Sequence, residues 1–221
     1  MTVSVETLID RSVRNMGAVH PVVKQKAIQL IKQAYSEGIL LQISSGLRSF
    51  EDQARIYGQG RKSFWYNGKD YGNPSKSVVS NAKPGQSVHN YGLAIDYCLV
   101  SSDGQRALWT VNDKWKRVAA IGKSLGFSWG GDWENFKDYP HLQLTGGLTW
   151  QDLKAGKRPE HLLKEVKGVS EVKNQKPSKW AEESWKQAKE LGLFDGTRPQ
   201  EAITREEAAS VVVRLYQKLS N

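Results

Sequence analysis

The sequence has one cysteine, Cys98, among 221 residues, and it has no long apolar run. A lone cysteine excludes an internal disulfide and a metal site built from several thiolates. A membrane-spanning helix needs about 18 or more consecutive apolar residues, so no membrane insertion is expected. The first segment, MTVSVETLIDRSVRN, also lacks the basic and then apolar pattern of a secretory signal. We therefore expect a protein that is made and stored in the cytoplasm.

Positive charge is in excess. The chain has 32 Lys and Arg residues against 23 Asp and Glu residues, which gives a net charge of +9 and a pI near 9.5. This balance predicts attraction to a polyanion such as nucleic acid, anionic lipid or an anionic wall polymer. The basic residues are spread along the whole chain, and no nucleic-acid-binding motif has the required spacing. A nucleic-acid partner is therefore not expected.

The apolar patterning predicts a mixed fold. Helical spacing marks residues 22–35 and 115–126, and Ser49 with two following acids is typical of the start of a third helix. Short apolar segments predict strands over residues 39–45, 91–100 and 139–144. Because these elements interleave without strand-helix-strand repeats, we expect an α+β domain. Between Gly58 and Gly85 the periodicity is too weak for a regular element, which predicts a long loop.

The composition changes near residue 150. Residues 150–178 are rich in Lys and Glu and contain Pro159 and Pro177, which is typical of a linker with room for a short helix at its start. Two helical patterns follow from Trp180. We therefore predict a main domain over residues 1–149, a linker over 150–178 and a small helical module over 179–221.

Three residues in two segments predict a metal site. The segments are SVHNYGLAIDYCLV and WGGDWENFKDYPHLQL, and they contain His89, Asp96 and His141. A catalytic zinc typically takes three ligands from His and carboxylate side chains and leaves a fourth position open for water. With Asp96 on a strand and His89 in the preceding turn, Gly92 lets both side chains reach one point. His141 would then come from a neighbouring strand.

Asp138 and Arg48, two charged residues near these motifs, are candidates for catalytic roles. Asp138 lies three residues before His141, where a carboxylate can face the open metal position and act as a general base. Arg48 lies between a predicted strand and a predicted helix, which suits a contact to a substrate carboxylate or to an oxyanion. A structural ion pair is the alternative for Arg48.

Other residues of the same types have simpler interpretations. His20 and His161 have no such neighbours, so we expect structural roles for both. Among the aromatic residues that flank the motifs, Trp129 and Trp133 are predicted to lie beside the pocket. Trp65 is assigned to the long loop.

The motifs resemble those of the LAS-type zinc peptidases, which include D-alanyl-D-alanine dipeptidases and carboxypeptidases and phage L-alanyl-D-glutamate endopeptidases. The shared segments are SGLR at residues 45–48, SVHNYGLAID at 87–96 and DYPH at 138–141. The resemblance covers roughly residues 20–147 and is strongest to the phage endolysin and Bacillus branch. It implies a small antiparallel sheet flanked by helices. It also implies zinc on His89, Asp96 and His141, Asp138 as general base, and Arg48 as a substrate or transition-state contact.

The C-terminal residues resemble a single S-layer homology repeat, including the ITREE stretch at residues 203–207. Such modules hold proteins on the secondary polysaccharide of the wall and commonly come as three copies. A single repeat leaves three explanations: three chains associate into a homo-oligomer, one repeat binds weakly, or the repeat has another role. A purely structural cap is the simplest alternative to all three.

Together, these features predict a bacteriolytic endolysin that cuts the L-Ala to D-Glu bond of peptidoglycan. It would remain in the host cytoplasm until release and then act on the bacterial cell wall. A host autolysin usually needs a signal peptide. Two alternatives stay open: a D,D-carboxypeptidase acting on terminal D-alanine, and a non-catalytic wall-binding protein with a structural zinc.

Overall fold

The computed structural model of the chain describes residues 2–159 together with residues 186, 187 and 190. The chain divides into two compact units, Met1–Leu162 and Leu163–Asn221. In the second unit the described residues are helical and exposed, and the rest of the predicted C-terminal module and His161 lie outside the described residues. The helices of the first unit are α1 (Val5–Met16), α2 (Pro21–Ser36), α3 (Phe50–Gly58), α4 (Asp113–Ser124) and α5 (Trp150–Lys154).

The strands of the first unit form two antiparallel sheets. They are β1 (Leu41–Ser45), β2 (Trp65–Tyr66), β3 (Lys69–Asp70), β4 (Ala94–Val100), β5 (Ala107–Leu108), β6 (Ser128–Trp129) and β7 (His141–Gln143). The main sheet has the order β1-β4-β7-β6, and β5 pairs with the end of β4. Strands β2 and β3 form a separate hairpin. The prediction of an α+β fold with a small antiparallel sheet is confirmed.

Strand β4 lies inside the main sheet, and six of its seven residues are buried. Its sequence, AIDYCLV, is apolar except at Asp96. A strand that is buried on both faces needs such a continuous apolar run. Asp96 is therefore a polar residue placed where the sheet otherwise excludes water, which requires partners for its carboxylate.

Helix α1 supports the end of strand β1. The register of β1 against β4 shifts between Ile43 and Ser45, and such a bulge leaves backbone groups without ladder partners. The buried Ser12 hydroxyl accepts a hydrogen bond from the Ile43 amide at 2.9 Å, and the Asn15 side chain donates to the Ile43 carbonyl at 2.8 Å. Helix α1 was not among the predicted elements, although Ser4 caps it and Leu8, Ser12 and Met16 form its buried face at helical spacing.

The prediction of an unstructured loop over residues 58–85 is wrong at the β2–β3 hairpin. Asn67 and Gly68 join its strands with φ angles of 48° and 76°. An Asn-Gly pair is the preferred sequence for a two-residue turn of this kind, because both residues tolerate positive φ. The Asp70 carboxylate closes the base of the hairpin by accepting hydrogen bonds from the amides of Phe64 and Gly72.

The predicted linker begins with helix α5. Thr149 caps this helix through a reciprocal pair of hydrogen bonds with Asp152, and Leu153 is fully buried. No helix in the described part of the chain is long and apolar enough to cross a membrane.

Trp115 and Trp65 differ in burial, so their replacement should affect stability differently. Trp115 is 1% exposed, packs against Tyr97 and donates its indole N–H to the Tyr139 carbonyl at 3.0 Å, whereas Trp65 is 67% exposed. We expect Trp115→Ala to lower the free energy of unfolding by about 3–5 kcal/mol, because it removes buried area and leaves a cavity. Denaturant unfolding measures this change.

The matched substitution Trp65→Ala serves as the control. It should change the unfolding free energy by no more than about 0.5 kcal/mol, as is usual for exposed positions. Equal effects of the two substitutions would contradict the assignment of Trp115 to the core.

Candidate metal centre

The antiparallel pairing of β4 and β7 places Asp96 directly opposite His141. Residues that are opposite each other on antiparallel strands project their side chains to the same face of the sheet. The aspartate and the histidine therefore face one another although they are 45 positions apart in the sequence. His141 is 5% exposed.

His89 reaches the same point from the turn before β4. It lies in a short 3-10 helix, Val88–Tyr91, which ends at Gly92 with a φ of 67°. A side chain at Gly92 would lie 3.3 Å from both the His20 amide and the Val19 Cα, so this close approach favours glycine. His20 itself caps helix α2 by accepting a hydrogen bond from the Val22 amide, in keeping with its predicted structural role.

Three side-chain atoms of these residues form a nearly equilateral triangle. His89 Nε2 lies 3.1 Å from His141 Nδ1 and 3.2 Å from Asp96 Oδ1, and His141 Nδ1 lies 3.4 Å from Asp96 Oδ1. These residues are the group in the described part of the chain whose geometry is suited to hold a metal ion. The structure thus brings the three predicted ligands together.

The outer nitrogen of each imidazole has an acceptor beside it. His89 Nδ1 lies 2.8 Å from the Gly46 carbonyl, and His141 Nε2 lies 3.0 Å from Gln143 Oε1. A carbonyl oxygen only accepts, so each of these outer nitrogens carries a hydrogen. When a metal takes the place of the inner protons, both inner nitrogens offer it a lone pair beside Asp96 Oδ1.

This arrangement fits a divalent cation. Three lone pairs that converge in a buried site repel one another unless a proton or a cation lies between them. Tetrahedral ligands bonded to zinc at about 2.0–2.1 Å lie roughly 3.3–3.4 Å from each other, which is close to the observed triangle. Two imidazoles and one carboxylate also match the ligand types of catalytic zinc, with one position left for water.

Arg48 binds the other oxygen of the same aspartate. Its guanidinium donates to Asp96 Oδ2 at 3.3 Å, to Ser45 Oγ at 3.3 Å and to Gln53 Oε1 at 2.9 Å. The structural ion pair that was the alternative interpretation of Arg48 is therefore present. Since Arg48 also lines the cleft, the ion pair does not exclude a contact to substrate.

Asp138 lies at the edge of the centre in the turn before β7. Its amide donates to the Gly130 carbonyl at 3.1 Å, and its own carbonyl accepts from the His141 amide at 3.2 Å. Burial is the main cause that raises the pKa of the Asp138 carboxyl, with His141 acting in the opposite sense. Within residues 2–159 the carboxylate accepts no hydrogen bond, so it is free to act on a ligand in the cleft.

Two tryptophans fix this turn. The Tyr139 carbonyl accepts hydrogen bonds from the indole N–H groups of Trp115 at 3.0 Å and Trp129 at 2.8 Å. The next carbonyl, that of Pro140, accepts from the Tyr97 amide at 3.1 Å. These contacts hold the backbone between Asp138 and His141 in one conformation.

The metal centre opens into a cleft of about 990 Å³. Trp133 lines it and packs its ring 5.1 Å from the ring of His141, as predicted. The prediction for Trp129 is wrong, because its indole is used in the hydrogen bond to Tyr139 and it does not line the cleft. Trp65 lies in the exposed β2–β3 hairpin.

Four cleft or support residues were missed from the sequence: Gln53, Trp109, Phe136 and Gln143. Gln53 is fully buried and links Arg48 to the Ala82 carbonyl. Trp109 and Phe136 are exposed aromatic rings on the cleft wall. Only Gln143 had a usable signal, because residues i and i+2 of a strand share one face.

An α+β fold with a His-Asp-His group that lines an open cleft is typical of metal-dependent hydrolases. The family model described as D-alanyl-D-alanine carboxypeptidase matches residues 80–144, a segment that contains all three residues of the group. The match covers the turn before β4, strand β4 and strand β7.

Two curated relatives extend the match. The peptidoglycan L-alanyl-D-glutamate endopeptidase CwlK of Bacillus subtilis (strain 168) is 44% identical over 134 residues, which is 57% of this chain and 73% of the relative. The L-alanyl-D-glutamate peptidase of Listeria phage A118 is 32% identical over 137 residues, which is 61% of this chain and 41% of the relative. The chain belongs to the same family of peptidases as these relatives.

One solved structure has a similar fold. The L-Ala D-Glu endopeptidase ChiX of Serratia marcescens has a TM-score of 0.42 and 24% identity, and the match covers 62% of this chain and 87% of that chain.

Without a metal, Asp96 and His141 each shift the pKa of the other. Burial opposes ionisation of both residues, but His89 and His141 outweigh it and lower the pKa of Asp96, while Asp96 raises the pKa of His141. Because the pKa of Asp96 is lowered, its ionised carboxylate stabilises the fold at a pH above the ordinary pKa of about 4. This stabilisation is lost as the pH falls through the lowered pKa. Because the pKa of His141 is raised, its protonated imidazole stabilises the fold below about pH 6.5. This stabilisation is lost as the pH rises through the raised pKa.

We therefore expect Asp96→Asn to lower the pKa of His141 in metal-free protein, because the largest cause that raises it is removed while burial, which lowers it, remains. Titration by NMR measures this pKa. Asp132→Asn, which removes an exposed ion pair with Lys123, should leave it unchanged. An unchanged His141 pKa in Asp96→Asn would contradict the coupling.

Proposed function

We propose that the protein is a peptidoglycan endopeptidase that hydrolyses the L-alanyl-D-glutamate bond of wall stem peptides, with zinc held by His89, Asp96 and His141. The observation that carries the proposal is the triangle of ligand atoms, 3.1–3.4 Å on each edge, at the base of an open cleft. The names and identities of the two curated relatives support this bond as the substrate.

A zinc ion held by this group would supply Lewis-acid chemistry, polarising the scissile carbonyl and easing deprotonation of the attacking water. The three side chains contribute fixed geometry. Gly46 and Gln143 keep each imidazole in the required tautomer, and such supporting contacts orient ligands and tune their basicity.

Asp138 acts as the general base and then as the general acid. The oxygen of the attacking water forms a bond with the alanyl carbonyl carbon, and Asp138 takes the proton. When the carbon–nitrogen bond breaks, the same proton passes to the amine of the departing glutamate. A carboxyl whose pKa is raised by burial suits this exchange, because proton transfer is most efficient when the pKa lies nearer the working pH.

Arg48 holds Asp96 and faces the substrate. A guanidinium has five N–H donors, and three are used on Asp96, Ser45 and Gln53. The other two are available for a substrate carboxylate or for the oxyanion that forms during attack. Its partner Gln53, fixed in turn to Ala82, keeps the guanidinium in place.

One alternative function uses the same three metal ligands but cleaves a different peptide bond. The description of the matching family model favours removal of a terminal D-alanine, as in a D,D-carboxypeptidase. A wall-binding protein with a structural zinc is disfavoured, because such sites are normally closed by four protein ligands.

A digest of defined stem peptides separates these functions. With zinc present, we expect new C-terminal L-Ala and N-terminal D-Glu ends, read by mass spectrometry. Release of D-alanine instead would establish the carboxypeptidase activity. No cleavage of any stem peptide would refute the enzyme assignment.

Two variants test the roles within the same assay. His89→Ala should lose both bound zinc and activity, because it removes a ligand. Asp138→Asn should keep zinc but lose activity by about 10²–10⁴-fold, the usual contribution of general acid–base catalysis. Equal zinc loss in both variants would make Asp138 a ligand rather than the base.

For the C-terminal residues we keep the hypothesis of a wall-holding module that binds secondary polysaccharide. It is supported by the ITREE resemblance and by the positive charge of the chain. An endolysin stored in a host cytoplasm and released to the wall would combine such a module with the cleft, and association of several chains would raise its avidity.

Deletion of residues 180–221 tests this hypothesis. We expect weaker sedimentation with purified cell walls and unchanged cleavage of soluble peptides, because the metal centre lies within residues 46–143. Unchanged sedimentation would remove the anchoring role. Lost peptide cleavage would show instead that the segment supports the catalytic domain.

A further inference from the structure

Gln143 is the one side chain in the described residues that touches the outer nitrogen of His141. It lies two positions after His141 on β7, on the same face of the sheet, and it lines the cleft. Its Oε1 atom is 3.0 Å from His141 Nε2. The equivalent atom of His89 is bound by the Gly46 backbone, so only His141 depends on a side chain for its orientation.

The orientation of the Gln143 amide decides which nitrogen of His141 carries the hydrogen. With Oε1 toward the ring, Nε2 carries it and Nδ1 offers a lone pair to the metal position. With the NH₂ group toward the ring, Nε2 would accept and Nδ1 would carry the hydrogen, pointing at Asp96. Only the first orientation is compatible with metal binding, so the amide acts on metal affinity.

The other end of the amide faces open space. Within residues 2–159 the NH₂ group donates to no protein acceptor, and these residues contain no buried side-chain nitrogen or oxygen atom that lacks a partner. The NH₂ group is therefore accessible from the cleft. The hydrogen bond of Oε1 to His141 fixes the amide plane, so this donor has a defined direction.

We propose that Gln143 has two roles: its Oε1 positions His141 for the metal, and its NH₂ group donates to the free carboxylate of the glutamyl residue of the substrate. The second role rests on the proposed function. A glutamyl residue has two carboxyl groups, of which one continues the peptide and the other is free. Gln143 lines the cleft together with His141 and Arg48, so its NH₂ group is placed to meet a substrate group that flanks the scissile bond.

Zinc affinity tests the positioning role. Gln143→Met removes the acceptor at constant length, and zinc should dissociate about 10- to 100-fold more readily in chelator competition, as for other contacts that orient metal ligands. Gln143→Glu keeps an acceptor oxygen and should retain affinity close to wild type. Gln29→Met, at an exposed position of α2, is the matched control, and circular dichroism verifies that all variants fold.

Two peptides test the substrate contact. One has the free glutamyl carboxylate, and the other has a carboxamide in its place. Gln143→Glu should raise the KM for the carboxylate peptide by about tenfold or more, because a charge-assisted hydrogen bond is replaced by repulsion. For the carboxamide peptide the increase should be much smaller.

Each outcome has a separate consequence. Wild-type zinc affinity in Gln143→Met would overturn the positioning role. An equal change, or no change, in KM for the two peptides with Gln143→Glu would overturn the carboxylate contact. If the wild-type protein cleaves neither peptide, the proposed function and the carboxylate contact both fail, whereas the zinc measurement still decides the positioning role.

Discussion

Two imidazole nitrogens and one carboxylate oxygen meet with separations of 3.1–3.4 Å, and the rest of the domain serves to hold them there. Without a cation, this contact is stable only if protons are shared among the three groups. Fixing the outer hydrogen of each imidazole to an acceptor leaves the inner nitrogens to face the position that a cation would occupy. The backbone of Gly46 and the side chain of Gln143 provide these acceptors.

Strand pairing holds Asp96 and His141, the two candidate ligands that lie on the sheet. They belong to strands β4 and β7, which pair directly in the buried part of the sheet. His89 is the exception, and it is held by a short turn whose end requires the positive φ of Gly92. A site built on paired strands keeps its geometry better than one built on loops, which favours the precise distances that metal catalysis needs.

Arg48 connects the metal centre with the substrate cleft. By binding Asp96 Oδ2 it leaves Oδ1 directed at the two histidines, so in the proposed enzyme the motif SGLR supports a metal ligand as well as facing the substrate. The bulge at the end of β1, supported by Ser12 and Asn15 of α1, sets the path of this motif. Helix α1, which was absent from the prediction, thus supports the backbone that leads to the Arg48 guanidinium.

The sequence by itself determined the α+β class, the positions of helices α2, α3 and α4 and of strands β1, β4 and β7, and the identity of the three converging residues, because apolar periodicity and motif spacing are local properties. The Asn-Gly hairpin within the predicted loop and helix α1 had local sequence signals that the prediction did not use, whereas the difference between Trp129 and Trp133 had none. The roles of Gln53 and Gln143, and the ion pair of Arg48 with Asp96, were decided only by the tertiary structure. A hydrogen bond between residues such as Arg48 and Asp96 depends on strand register and side-chain direction, and neither can be read from the spacing of residues along the chain.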